Sequence, residues 1–310
     1  MNLKQFKPAH WLYNLFHYKE LKHNREAYRK YRINKPLIAS ISSKDFPDKE
    51  SKAWLDVNNS ANLVGSAPGF SDFDTSIQEQ LITWSEKGYL VLNKLFDDET
   101  IDAINKDTDE IYRQGAVKLT HDNKLPFLNK LSPVIEQATH NKKLIRVLEF
   151  IFDKKAIPFQ TLNFLKGSGQ RAHSDSIHMT TYPLGYLIAA WVALEDIHPD
   201  SGPLFYYPGS HKLPYLLNDD FENYSSKLSL GKKDYKDYEE MTTRIIESQD
   251  LQPEIFLPEK GDVLIWHANL IHGGTPVKNP MLTRKSMVIH YYAEDVVKYH
   301  EITERPSLLT

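Results

Sequence analysis

Hydrophobic positions divide the chain into two unlike parts. Before Pro158 they recur at helical spacing. "DDETIDAINKDTDEIY" (97–112) opens with Asp97 as a candidate N-cap and sets Ile101, Ile104 and Ile111 on one helical face. "KKLIRVLEFIF" (142–152) predicts a second, buried helix, and "GYLVLNKLF" (88–96) reads as a strand. After Pro158 short apolar or alternating runs take over: "FQTLNFLK", "GYLIAAWVALED", "GPLFYYPGS", "EIFLP", "GDVLIWHA" and "KSMVIHYY". Turn residues punctuate them, which predicts an antiparallel sandwich or barrel such as a jelly roll. Two stretches follow neither pattern. Residues 36–76 keep no period and predict a long connection wrapping the surface. Residues 212–252, with "GKKDYKDYEE" at their middle, form a charged insertion of the kind that serves as a lid.

Composition supports a sizeable core: 41% of the 310 residues are hydrophobic and 12% aromatic. The longest apolar run, "YLIAAWVAL" (186–194), is too short to span a bilayer and predicts a buried strand. Without cysteine there is no disulfide framework, thiolate zinc site or cysteine nucleophile. The charged N-terminus lacks the apolar core of a secretion signal, so the expected compartment is the cytoplasm.

Charge is uneven along the chain. Residues 1–35 carry nine basic residues against two glutamates, about +7, which leaves about −10 for the rest of a chain of formal net charge −3. That total carries no general nucleic-acid signature, so no nucleic-acid partner is expected. Phe6, Trp11, Tyr13, Phe16, Tyr18, Tyr28 and Tyr31 interleave the basic residues. One reading is a basic amphipathic helix touching a membrane surface or an anionic partner. The expected one is a helix packed on the main domain by its aromatics, with its lysines in water.

The candidate chemistry starts at "QRAHSDSIH" (170–178). On a strand, positions i and i+2 share a face, so His173 and Asp175 can reach one divalent cation and supply two corners of a facial triad. Among thirteen histidines a bare H-x-D is weak evidence. A third ligand should come from another strand, and "GDVLIWHANLIHGGTP" offers His267 and His272. His272 precedes a turn, where a strand end presents it to a cavity; His267 sits inside the strand and reads as a packing residue. Arg284, at the start of the next strand, returns to the neighbourhood of His272 and offers a bidentate clamp for a carboxylate.

"HSD", "WVALEDIHPDSGPLFYYPGSH", "GDVLIWHANLIHGG" and Arg284 together resemble the phytanoyl-CoA dioxygenase family of iron(II)- and 2-oxoglutarate-dependent oxygenases, over roughly residues 81–293. "GYLVLNKLFDDETIDAI" resembles that family's opening strand and helix. The resemblance implies a mainly β architecture with flanking helices (α+β), the double-stranded β-helix of jelly-roll, cupin-like type. The oxygenase domain is expected to cover residues 77–310, with 1–76 as an N-terminal extension and 212–252 as a lid-like insertion, both outside the family's shared pattern. The resemblance also implies Fe(II) held by His173, Asp175 and His272, and 2-oxoglutarate and O2 as cosubstrates. Arg284 would bind the distal carboxylate of 2-oxoglutarate, with Gln160, Asn163 and Trp191 as further contacts. Relatives often carry a hydroxyl two positions after the distal histidine; here Gly274 stands there, and Thr275 is the expected substitute. Asp175 favours hydroxylation or another oxidation over halogenation.

The expected reaction is thus hydroxylation of an unactivated C–H bond in a small-molecule or carrier-linked substrate, releasing succinate and CO2. His178 lies five residues beyond His173, on the opposite pleat of a regular strand. It is expected outside the ligand set, as a packing residue or a substrate contact. A Ser-His-Asp hydrolase fails for want of a G-x-S-x-G elbow. The competing class is a non-catalytic metal-binding jelly roll that binds an anionic ligand or partner.

Overall fold

Period-2 alternation in the C-terminal half builds one large sheet with two unlike faces. A computed structural model of the chain describes residues 5–46, 52–57, 60–120 and 123–309. An N-terminal helical part holds α1 (Lys7–Phe16), α2 (Asn24–Lys30), α3 (Ser60–Val64) and α4 (Thr75–Lys87). Next come β1 (Tyr89–Leu92), α5 (Asp98–Arg113), β2 (Lys124–Pro126), α6 (Pro133–Thr139), α7 (Lys142–Phe152) and β3 (Ala156–Phe164). The rest is β4 (Thr180–Tyr182), β5 (Leu187–Ala193), β6 (Leu204–Tyr206), α8 (Tyr235–Ser248), β7 (Glu254–Ile255), β8 (Val263–His267), β9 (His272–Gly274), β10 (Ser286–Ala293), β11 (Val297–His300) and β12 (Arg305–Pro306). Among the described residues no helix is long and apolar enough to cross a membrane.

Six strands pair in the order β1-β8-β5-β10-β3-β2, every pair antiparallel. A smaller sheet, β7-β6-β9, supplies the opposing wall, and β12-β11-β4 forms a third. This is the double-stranded β-helix expected from the sequence. On the large sheet, Ile188, Ala190, Val192, Ile265, Met287 and Ile289 face one way and pack on α4, α5, α6 and α7. Ala189, Trp191, Leu264, Trp266 and Val288 face the other way, toward Leu204 and Tyr206 of the small sheet. Burial on both faces explains why β5 and β10 read as continuous apolar runs.

The helices begin where the sequence marks them. Asp97 accepts from Thr100 N at 2.8 Å and caps α5, and Asn141 accepts from Lys143 N and Leu144 N to cap α7. Residues 36–76 do more than wrap the surface: Leu55, Val64, Phe70 and Phe73 enter the helix-side core. The charged insertion contains a helix. Asp234 and Asp237 form a reciprocal capping box at the start of α8, whose Tyr238 packs on Ile177 and Phe221.

The N-terminal segment departs from its expectation. Leu21, Ala27 and Tyr28 do pack on the main body, against Ile41, Tyr182, Val297 and Tyr299. In α1, however, the buried side chains are Lys7 and Asn14, while Leu12, Leu15 and Phe16 lie in solvent.

A candidate metal centre facing a buried arginine

His173 and His272 are joined by backbone before any ion is considered. Each donates its N–H to the other's carbonyl at 2.9 Å, an antiparallel bridge that sets their rings 4.5 Å apart. Asp175 arrives differently from the strand expectation: Asp175–Ile177 is a turn of 3-10 helix, not regular β. Its carboxylate is drawn into the cavity by Trp266, whose Nε1 donates to Oδ2 at 2.8 Å. His173 Nε2 and His272 Nε2 then lie 4.0 and 3.8 Å from Asp175 Oδ1, and the three donor atoms all fall within 4.8 Å of one another. These gaps are too wide for hydrogen bonds, and one cation can bridge them all.

The protonation pattern suits a metal. His173 Nδ1 contacts the Arg171 carbonyl at 2.8 Å, and His272 Nδ1 contacts the Leu270 carbonyl at 2.9 Å. A carbonyl only accepts, so each ring carries its proton on Nδ1 and turns the Nε2 lone pair toward the gap. Gln170 Nε2, 3.1 Å from His173 Nε2, donates to that lone pair. Burial keeps both rings neutral, pushing His173 down to about 3 and His272 below its ordinary value. Burial alone would raise the Asp175 carboxyl, yet the surrounding imidazoles of His272, His290 and His173 hold it well below the usual range. Two neutral imidazoles and one carboxylate form the donor set that suits iron(II). Among the described residues this is the one cluster of its kind.

The same cavity, about 460 Å3, is lined elsewhere by Arg284. Its guanidinium is 3% exposed, 4.8 Å from the Phe164 ring centroid and 5.7 Å from that of Trp191. Nη1 donates to Ser286 Oγ, Nε has no partner, and among the described residues no carboxylate pairs with it. Burial pushes the group down to about 10, still charged at neutral pH. The Glu195 carboxylate offsets burial only in part and from beyond salt-bridge distance, so an anion entering the cavity would relieve the remaining cost.

The remaining candidates separate by strand parity. Gln160 and Trp191 line the cavity. Asn163 does not: on β3 it faces the helices, where Nδ2 donates to Thr108 Oγ1 at 3.2 Å. Thr275 does not line the cavity either, and its hydroxyl donates to the Pro203 carbonyl at 3.1 Å. The hydroxyl beside Arg284 belongs to Ser286, and a Cβ at Gly274 would stand 2.7 Å from Ser168 Oγ, which fills that part of the wall.

His178 is not on a regular strand and does line the cavity. Its Nδ1 lies 3.3 Å from His300 Nε2, and its ring centroid is 4.4 Å from that of Tyr235 on α8. Burial pushes His178 down to about 4 and His300 to about 3. His267 stays out of the cavity, its Nε2 3.1 Å from Asp56 Oδ2. Among the lining residues that the sequence does not single out are Trp266, Gln170 and His290, whose Nε2 lies 3.7 Å from Asp175 Oδ2. Tyr238 of α8 contacts both Ser174 N and Ser174 Oγ at 3.0 Å, seating the insertion on the loop that carries His173 and Asp175.

The phytanoyl-CoA dioxygenase (PhyH) family model matches residues 84–286. The human peroxisomal phytanoyl-CoA dioxygenase is 24% identical over 289 residues, covering 84% of this chain and 76% of that protein. A zebrafish (Danio rerio) phytanoyl-CoA dioxygenase domain-containing protein 1 is 24% identical over 219 residues, 65% of this chain and 67% of the relative. Among solved structures, the non-heme alpha-ketoglutarate-dependent carbocyclase SnoK from nogalamycin biosynthesis superposes with a TM-score of 0.56 at 14% identity, covering 74% of this chain and 87% of that one. EctD from S. alaskensis, solved with 2-oxoglutarate and 5-hydroxyectoine, gives 0.53 at 19% identity, covering 71% and 78%.

Proposed function

Since the chain belongs to the phytanoyl-CoA dioxygenase family of iron(II)- and 2-oxoglutarate-dependent oxygenases, we propose that it hydroxylates an unactivated C–H bond of a small-molecule or carrier-linked substrate, releasing succinate and CO2. One observation carries the reading: three candidate metal donors and a buried guanidinium with no salt-bridge partner among the described residues share a single cavity. His173 Nε2, Asp175 Oδ1 and His272 Nε2 would hold the iron, leaving positions for cosubstrate and oxygen. Bound there with 2-oxoglutarate and O2, the iron supplies oxidative decarboxylation coupled to C–H oxidation.

The protein's own part is to position and to exclude water. Arg284 meets the distal carboxylate of 2-oxoglutarate, a charge-assisted contact strengthened by the apolar walls of Phe164 and Trp191. Ser286 orients the guanidinium from below. Gln160 serves as a cosubstrate contact from the β3 wall. Trp266 fixes which carboxylate oxygen of Asp175 faces the ion. His178, with His300 behind it and Tyr235 beside it, is the substrate-side contact. Residues 77–310 act as the oxygenase domain, with 212–252 as the lid that keeps water out, and residues 1–76 as an extension docked on it.

A succinate-release screen over acyl thioesters, free amino acids and carrier-bound intermediates, with Fe(II), ascorbate and oxygen, tests the reading. Succinate formation stimulated by one substrate class is the expected outcome. Iron binding with no 2-oxoglutarate binding would leave a non-catalytic metal-binding jelly roll instead.

A further inference from the structure

The first helix is built inside out. Lys7 and Asn14 of α1 are 6% and 1% exposed, whereas Leu12, Leu15 and Phe16 are 58%, 54% and 80% exposed. At helical spacing the three apolar residues share an arc of about 100° on the side away from Lys7 and Asn14. Polar pairing locks this orientation. Lys7 Nζ lies 2.5 Å from Glu304 Oε2 and 3.2 Å from Ser225 Oγ, and Asn14 Nδ2 donates to the Ile38 carbonyl at 2.9 Å. Trp11 Nε1 adds a bond to Ser40 Oγ at 3.0 Å. Rolling the helix to bury its leucines would leave Glu304 buried without its cation, so the apolar edge stays outside.

Exposed cations follow that edge along the chain, Lys19 and Lys22 among them. Arg25 donates to the Tyr18 hydroxyl at 3.0 Å, and Arg305 stands 5.0 Å from the Tyr13 ring centroid. The acids of the segment are engaged locally, Glu20 with His17 and Glu26 with Arg29. An exposed apolar edge beside surplus positive charge asks for a partner that is apolar beneath and anionic on top. A second copy of the chain meets the first condition and fails the second, because a two-fold interface would set this basic face against itself.

We propose that this face docks the protein on an anionic lipid bilayer. Leu12, Leu15 and Phe16 enter the boundary between headgroups and acyl chains, while Lys19, Lys22 and Arg25 meet the lipid phosphates. The docking is independent of the reaction proposed above.

Flotation of the full chain with vesicles of phosphatidylcholine, alone or mixed with phosphatidylglycerol, tests it. Binding is expected to the mixed vesicles, to weaken as salt rises, and to be slight on phosphatidylcholine alone. Phe16→Ser should weaken it about tenfold, and Lys19→Ala with Lys22→Ala about thirtyfold. Iron and 2-oxoglutarate binding in solution should be unchanged in both variants, which shows them folded. No flotation with the mixed vesicles overturns the proposal. So does a monomer–dimer equilibrium that Phe16→Ser abolishes in a protein that does not float, since the face then belongs to a second copy.

Discussion

The cavity and the first helix break the usual sorting of side chains in opposite directions. In the cavity, Asp175 and Arg284 are charged and buried, and among the described residues Asp175 meets no Lys or Arg and Arg284 no carboxylate within salt-bridge distance. On α1, leucines and a phenylalanine stand in water while a lysine points inward. The difference lies in what completes each arrangement. Lys7 already has Glu304, so its burial is structural and only the outer edge lacks a partner. In the cavity the protein satisfies the supporting atoms, Nδ1 of each histidine and Oδ2 of Asp175, and of the inward atoms only His173 Nε2 is touched, by the Gln170 amide. Incompleteness confined to the inward atoms marks a ligand site. Incompleteness of an outward edge marks a surface.

The largest effect expected from breaking that contrast is at Asp175. Replacing Asp175 by Ala removes the one anionic donor and leaves Trp266 Nε1 without an acceptor. Anaerobic Fe(II) titration should show binding lost altogether, and 2-oxoglutarate turnover with it. Retained iron affinity would remove Asp175 from the ligand set. Arg284→Lys comes next. An ammonium cannot reproduce the planar fork or the stacking between Phe164 and Trp191. The 2-oxoglutarate KM should rise about a hundredfold, with iron affinity unchanged.

The helix supplies the counterpart. Lys7→Met strands Glu304 in a nearly dry site, 4% exposed, and should cost about 3 kcal/mol in urea unfolding. The KM for 2-oxoglutarate should stay where it was. Adding Glu304→Gln should restore most of the loss, because the uncompensated charge is then gone. A variant that alters the KM as much as Arg284→Lys does would mean that the two regions are coupled.

Much of this was legible, and the failures have one cause. The sheet was readable because β5, β8 and β10 are apolar runs between turn residues, and H-x-D with His272 and Arg284 marked the site. Strand parity is what sorts the side chains along β10 and the residues leading into it. Arg284, Ser286, Val288 and His290 alternate toward the cavity, while Met287, Ile289 and Tyr291 face the helices. The same parity on β3 sends Gln160 inward and Asn163 outward. His173 and Asp175 do come together, but not through strand parity, since a 3-10 turn carries Asp175. The helix α8 was hidden by its charges, although Tyr235 and Tyr238 stand at i, i+3. The reversed face of α1 had no local signal, because Glu304, which holds Lys7, is almost three hundred residues away.

The smallest effect should come from Trp266, and it separates an orienting group from a ligand. Trp266→Phe keeps an aromatic ring in the inner core of the sheet but removes the N–H that fixes Asp175 Oδ2, together with part of the indole's volume. His290 Nε2, at 3.7 Å, is too far to take over without moving. A carboxylate free to rotate presents either oxygen to the ion, so iron affinity should fall about tenfold and not vanish. The 2-oxoglutarate KM, measured at saturating iron, should hold steady, because the Arg284 end of the cavity keeps its Phe164 and Trp191 walls. Loss of iron as complete as in Asp175→Ala would mean that Trp266 shapes the whole cavity instead of aiming one oxygen.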